Sequence, residues 1–375
     1  MAKGGFIGNP DALAMKLKKS YVGGADGKAR KIKKGYIGDA NGKAQCIFGG
    51  GDKLTYYGTA TSLSRARMYF TGVSFGNYAL FAGGFYGNTT RIANVEAYDV
   101  SLTQIKPDAL SSGRQDLASA IVGNYAIFAG GDTGSVSSMV DAYDKSLTRT
   151  TLTHLSVSRK MTTGVSIGNY ALFAGGYSSN YTDVVDAYDT SLTRTTPTVL
   201  SEQRRQSAGV SIGNYALIVG GQGSTTYNQS VDAYDASLTR TNPTPLSVGR
   251  IYLSGTSVGR YALIAGGYDG SIRNDTVDAY DSSLTRTNPT PLSVGRQWTG
   301  ATSIGDYAIF AGGLTDVATY TAAVDVYDTS LIRTMSTDLS TKRQNLEGAT
   351  VGNYALFAGG NGGSYSDVVD VYELS

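Results

Sequence analysis

A nine-residue phrase, GNYALFAGG, recurs seven times with small changes, and this repetition constrains the chain more than any single motif. Its tyrosines are Tyr78, Tyr125, Tyr170, Tyr215, Tyr261, Tyr307 and Tyr354, spaced 47, 45, 45, 46, 46 and 47 residues apart. A second phrase, VDAYD, follows each copy, at Tyr98, Tyr143, Tyr188, Tyr234, Tyr280, Tyr327 and Tyr372. A third, LSxxR, supplies Arg67, Arg114, Arg159, Arg204, Arg250, Arg296 and Arg343. Periods of this length mark an array in which each unit buries its apolar face only against its neighbours.

Each unit reads as four short strands. The first follows the arginine (GVSIGN, SAIVGN), the second is YALFAGG, the third VDAYD and the fourth LTRTxPTPL. β-Branched and aromatic residues fill these runs, and glycine and polar residues separate them. YALFA is apolar on both faces, so its sheet needs cover on both sides. A ring of radially packed sheets provides that cover. The expected fold is therefore all-β, a seven-bladed propeller over residues 51–375 preceded by a short hairpin segment over 1–50. The last repeat stops at VDVYELS, and GDKLTYYGTATSLSRAR before the first repeat matches DSSLTRTNPTPLSVGR in length from Asp to Arg. Residues near 54–60 are accordingly expected to supply the outer strand of blade 7, removing two exposed edges.

The repeat resembles the kelch family, with its Gly-Gly doublet, later tyrosine and aromatic on the last strand. The doublets are Gly83-Gly84, Gly130-Gly131, Gly175-Gly176, Gly220-Gly221, Gly266-Gly267, Gly312-Gly313 and Gly359-Gly360. The family's fourth-strand tryptophan is replaced by Thr or Arg, as in SLTRT.

Variation within the frame locates a working surface. Every repeat arginine lies 11 residues before the next GNY tyrosine, and the stretch between the two tyrosines alone changes length, from 18 to 20. The variable loop follows the Gly-Gly doublet and is rich in Tyr, Ser, Thr, Gly, Asn and Asp, a palette suited to adaptable recognition. A second variable spot, MYF, QDL, KMT, RQS, IYL, QWT and QNL, directly follows each arginine. In four-stranded blades both segments emerge at the same end. The candidate ligand-binding residues are Tyr69, Phe70, Tyr86, Tyr177, Tyr181, Tyr227, Tyr252, Tyr268, Trp298, Tyr320 and Tyr365. Tyr252 and Trp298 occupy one site in adjacent blades and suggest a stacking platform for a sugar or peptide. The repeat arginines read as blade-to-blade hydrogen bonding, and the Asp of VDAYD as a structural pair or turn cap.

Catalysis is not expected. A kelch-type copper oxidase needs two histidines and a cysteine cross-linked to tyrosine, whereas this chain has one His and one Cys, His154 and Cys46, the latter outside the repeats. The same scarcity argues against a histidine metal cage or an internal disulfide. Innermost strands are small and hydroxylated, and only Asp116 and Glu347 come near the channel, at strand entrances in neighbouring blades. No metal or cofactor is expected.

Residues 1–50 differ in kind. KKSYVGGADGKARK and KKGYIGDANGKAQCIF are two copies offset by 15 residues, and Asp26-Gly27 and Asn41-Gly42 are tight-hairpin signals. The segment holds nine Lys, one Arg and three Asp, a net +7, against −5 for the remainder of a chain of net +2. Nucleic-acid binding is the weaker reading here; a structural attachment piece that docks on a partner or on its own copies is the stronger. This short repeat resembles elements in structural proteins of phages and prophages of Gram-positive bacteria. The resemblance implies a non-enzymatic virion component, attached to other virion proteins through residues 1–50 and homo-oligomeric in the particle. One propeller face would then recognise a host-surface glycan or protein. The alternative is a cytoplasmic bacterial scaffold that binds a protein partner. No apolar run is long enough for a membrane span, and no secretory signal is read at the start, as fits a virion protein made in the host cytoplasm.

Overall fold

The computed structural model describes residues 21–23, 29–31, 35–38, 44–48, 53–87 and 89–375. The chain divides into two compact units, Met1–Lys53 and Leu54–Ser375. In the first, Tyr21–Gly23 pairs antiparallel with Ala29–Lys31, and Gly35–Gly38 with Ala44–Phe48. The Asp26-Gly27 and Asn41-Gly42 turns lie outside the described residues.

The second unit is a seven-bladed β-propeller. Blade 2 is representative: Ala118–Val122, Tyr125–Ala129, Val140–Asp144 and Arg149–Thr151 form one antiparallel meander. Blade 7 takes its outer strand from the other end of the sequence. Leu54–Thr59 pairs with Val369–Leu374, with a bulge between Val371 and Tyr372 that sets Tyr372 opposite Tyr56. First strands of successive blades contact one another around the whole ring, Glu347–Val351 meeting Thr71–Phe75, so they line the central channel.

The double-faced YALFA strand explains the packing. Ile127 and Ala129 of blade 2 join Val140 and Ala142 against Ala171, Phe173 and Tyr188 of blade 3. The alternate residues Ala126 and Phe128 face blade 1. Period-two alternation thus feeds two cores from one strand, and all four of these second-strand residues are fully buried. Complete burial of a ring such as Phe173 contributes about 1.5–3 kcal/mol.

The repeat polar residues form the joints. Arg159 is buried and donates from Nη2 to the Asp186 carboxylate at 2.8 Å and to the Phe173 carbonyl at 2.9 Å, both in its own blade. The carboxylate also accepts from Ser156 of the LSxxR phrase and from Arg194 of the outer strand. The same pair recurs as Arg114–Asp141, Arg250–Asp278, Arg296–Asp325 and Arg343–Asp370, at 2.6–2.8 Å, and as Arg204–Asp232. Blade 1 substitutes Glu96 as the partner of Arg67, and in blade 7 Tyr56 donates to Asp370 where other blades use the outer arginine.

The arginine side chains therefore pair within a blade. The blade-to-blade links run through their carbonyls, such as Arg204 O, which accepts from the Gly176 amide of blade 3. The VDAYD tyrosines make a second inter-blade tie: Tyr188 donates to the Thr153 carbonyl at 2.7 Å. Glycine is required where the doublet meets the next blade. Gly175 has φ +62°, and a Cβ there would stand 2.5 Å from the Arg204 carbonyl oxygen.

Candidate functional site at the channel mouth

The segment after each repeat arginine and the loop after each doublet lie together at one end of the ring. Isolated antiparallel bridges join Lys160 to Tyr177, Arg205 to Gln222, Ile251 to Tyr268 and Gln344 to Asn361. Further bridges fold each loop back on itself, as between Tyr177 and Tyr181. Seven small hairpins consequently surround the mouth of the channel.

At the centre, the second residue after each arginine forms an annulus. Tyr69, Asp116, Met161, Gln206, Tyr252, Trp298 and Asn345 all adopt the left-handed conformation, with φ between 52° and 59°. Backbone bonds run from blade to blade: the Asp116 amide donates to Tyr69 O, Met161 to Asp116 O, and Gln206 to Met161 O. On the other arc Trp298 donates to Tyr252 O, and Asn345 to Trp298 O. A non-glycine residue in this region costs about 1–2 kcal/mol, and residues held there cluster where function requires them. Positive φ also recurs at Leu102, Leu147, Leu192, Leu238, Leu284 and Leu331 at the opposite end. There the turn accounts for it, since the Leu147 amide donates to Asp144 O and Asp144 Oδ1 accepts from Ser146 and Thr148. The leucine is the same in every copy, whereas the annulus changes side chain at every blade.

The annulus encloses a cavity of about 210 Å3. Tyr69, Tyr252 and Trp298 supply its aromatic wall, Asp116, Gln206, Asn345 and Glu347 its carboxyl and amide groups, and serines and threonines the remaining polar lining. The Tyr252 and Trp298 rings pack together at 4.4 Å between centroids, tilted by 45°. Burial raises the Tyr69 and Tyr252 hydroxyl pKa values; for Tyr69 the Asp116 carboxylate adds to the effect.

Glu347 heads the first strand of blade 7, and it is the sole acidic residue on the seven inner strands. Its counterparts in the other blades are Thr71, Ala118, Thr163, Ala208, Ser254 and Gly300. Burial pushes its carboxyl up to about 8, opposed by a hydrogen bond from the Gly72 amide. Asp116 rises to about 6 through burial, against the pull of Lys160. The two carboxyls are not in adjacent blades, as the sequence suggested, because blade 1 lies between them.

Several inner-strand hydroxyls are occupied by structure. Ser211 Oγ donates to the Ser166 carbonyl at 2.6 Å, and Thr350 Oγ1 to the Ser303 carbonyl at 2.8 Å.

Of the residues singled out in the sequence, Tyr69, Phe70, Tyr252 and Trp298 meet at the cavity. Phe70 departs from the expectation of an exposed contact: it is 4% exposed, and its ring packs edge-on against Phe81. As the third residue after the arginine, it faces the core with Leu117, Leu253 and Leu346. The other seven aromatics sit on the surrounding hairpins and mostly contact one another. Tyr86 meets Tyr365 at 5.5 Å, Tyr177 meets Tyr181 at 5.6 Å, and Tyr227 meets Tyr268 at 5.9 Å. Tyr320 is half-buried opposite Leu314. Arginines cover several rings: Arg205 lies over Tyr177 and Tyr181, and Arg273 over Tyr268. Asp116, Glu347, Gln206 and Asn345 belong to the cavity but not to that sequence set. Single-copy polar side chains at two fixed offsets from the arginine were the available signal.

His154 is exposed just beyond the Arg149–Thr151 strand, 3.3 Å from Ser138 Oγ. No group of three or more potential metal ligands occurs among the described residues.

No family model and no curated protein matches the chain. Among solved structures it is similar to one titled "Structure of YjhT", with a TM-score of 0.58 and 13% identity. The match covers 74% of this chain and 99% of that one. At that identity the likeness establishes the propeller fold alone.

Proposed function

We propose that this protein is a non-enzymatic recognition component of a virion, which binds a host-surface glycan or protein through the channel-mouth face. Residues 1–50 are its attachment to other virion proteins. The observation that carries the recognition reading is the central cavity, walled by Tyr69, Tyr252 and Trp298, on the face where all the length variation gathers. Aromatic walls bind sugar rings and apolar side chains through area and ring polarisation. A cavity of this volume is below the ~300–1,000 Å3 of a drug-sized site, so it would seat one ring or headgroup at the end of a longer ligand. The half-buried hairpin tyrosines would contact the remainder.

The test is binding of the full chain to a panel of bacterial envelopes and arrayed glycans. Trp298→Ala is expected to weaken binding roughly tenfold, as loss of about 1–2 kcal/mol at a stacking anchor implies. Ile332→Ser, at a 59% exposed position in the opposite-end turn, is expected to leave binding unchanged. Equal effects of the two substitutions, or no binding across the panel, would remove the proposal.

A further inference from the structure

We propose that the channel-mouth cavity is a receptor for a small organic cation, an ammonium group drawn in by the carboxyls that line it, Asp116 and Glu347, and seated against the aromatic wall of Tyr69, Tyr252 and Trp298. This deepens the recognition reading above and rests on it.

Charge balance in the cavity is the first argument. Its lining contains two carboxyls and no Lys, Arg or His. Neither carboxyl takes part in an ion pair among the described residues, whereas Asp132 and Asp316 on the same face do. Asp132 takes Lys160 at 2.7 Å and Arg91 at 3.1 Å. All seven repeat carboxylates are likewise paired, with Arg67 through Arg343. Asp116 and Glu347 are half-buried and hold their protons more tightly than free carboxyls, and a cation entering the cavity would favour their ionised forms.

The neighbouring cations are engaged elsewhere. Lys160 is committed to Asp132, and Arg205 donates to Gln222 Oε1 at 2.9 Å while lying over Tyr177 and Tyr181. For Asp116 the charged groups within influence are Lys160, Asp132 and Arg205; for Glu347 the Gly72 amide alone opposes burial. Gln206 Oε1, also in the lining, is a buried acceptor with no donor. The wall is the second argument. Aromatic faces attract alkylated ammonium groups, most strongly where water is excluded, and Met161 adds a polarisable apolar edge. An anionic headgroup would meet two carboxyls and no cation, and is disfavoured.

The experiment is calorimetry on the full chain with choline, glucosamine, N-acetylglucosamine and acetate at pH 6, 7 and 8. Choline reports an alkylated ammonium and glucosamine a primary one, while N-acetylglucosamine is the neutral counterpart. At least one cation is expected to bind more than tenfold tighter than N-acetylglucosamine or acetate. For choline, whose charge does not titrate, the affinity should rise on the order of tenfold or more from pH 6 to 8, because the competent ionised fraction of Glu347 grows over that range. Glu347→Gln should flatten that rise, and Asp116→Asn should weaken the cation at pH 7 with the thermal midpoint retained. Failure of both cations, equal binding of N-acetylglucosamine, or a flat pH profile in the unmutated protein would overturn the proposal. Envelope binding that persists without competition by choline or glucosamine removes the cation site and leaves the recognition reading. Cation binding with no envelope binding does the reverse.

Discussion

Replacing Asp186 by Ala tests whether the repeat ion pair holds the ring together. The substitution leaves the Arg159 guanidinium fully buried with the Phe173 and Val157 carbonyls as its remaining acceptors. It also strips acceptors from Ser156 and Arg194. Burial already lowers the Arg159 pKa, and Asp186 is the group that opposes this. Removing one partner of such a pair costs ~3–5 kcal/mol, because the other charge stays buried without compensation. The propeller spans residues 54–375, so at about 2.1 cal/mol/K per residue its unfolding entropy is roughly 0.7 kcal/mol/K. The melting temperature should then fall by about 4–7 °C in differential scanning calorimetry. Arg194→Ala removes the outer contact of the same carboxylate, whose arginine is 26% exposed, and should cost no more than ~1 kcal/mol. The double variant Arg159→Met/Asp186→Leu should recover much of the loss, since apolar residues can replace a buried pair at little cost. A shift under 1 °C for Asp186→Ala, or one equal to that of Arg194→Ala, would refute the argument.

Two further outcomes follow from the geometry. Gly175→Ala forces a side chain into the left-handed region against the Arg204 carbonyl; it should lower the urea midpoint by the equivalent of more than ~1 kcal/mol, whereas Gly363→Ala, with no atom within 4 Å of the new Cβ, should show only the smaller cost of its own positive φ. Glu347→Gln should change the pH dependence of stability: burial pushes the folded carboxyl up to about 8 from its ordinary 4.5, so the folded form holds its proton longer and the unmutated protein loses stability as pH rises between those values, by up to ~1.4 kcal/mol per unit. The variant should be flatter across that window, and identical slopes in denaturant melts at pH 5, 6.5 and 8 would contradict the burial of that carboxyl.

The fold was legible because its period was written seven times, and because YALFA, apolar at every position, admits few arrangements other than a sheet covered on both sides. The site was legible in part. Tyr69, Tyr252 and Trp298 stood out as large rings at a variable offset, and the cavity gathers them. Phe70 was misplaced because the three residues after the arginine were read as one exposed patch. The left-handed turn at the second residue sends the third back into the core, and no glycine announces that turn. The register Phe70, Leu117, Leu253, Leu346 carried the hint, since a run of large apolar residues at one offset signals burial. Asp116 and Glu347 stood out in the sequence only as the acidic residues near the channel; that neither has a counter-ion among the described residues is visible only in three dimensions.

The clasp of blade 7 imposes an order of events on synthesis. Tyr56 and Asp370, joined by a hydrogen bond, are 314 residues apart. At the ~5–20 residues per second of translation, the Leu54–Thr59 strand waits roughly 15–60 s after leaving the ribosome before its partner exists. During that interval six blades can assemble in sequence, each on the one before, while the first and the newest both present an open flank. A chain halted before its last repeat would therefore be left with two unmated surfaces, one on blade 6 and one on blade 1, each shaped to receive another blade of the same repeat. Truncated chains should string head to tail into multimers, where the full-length protein seals itself.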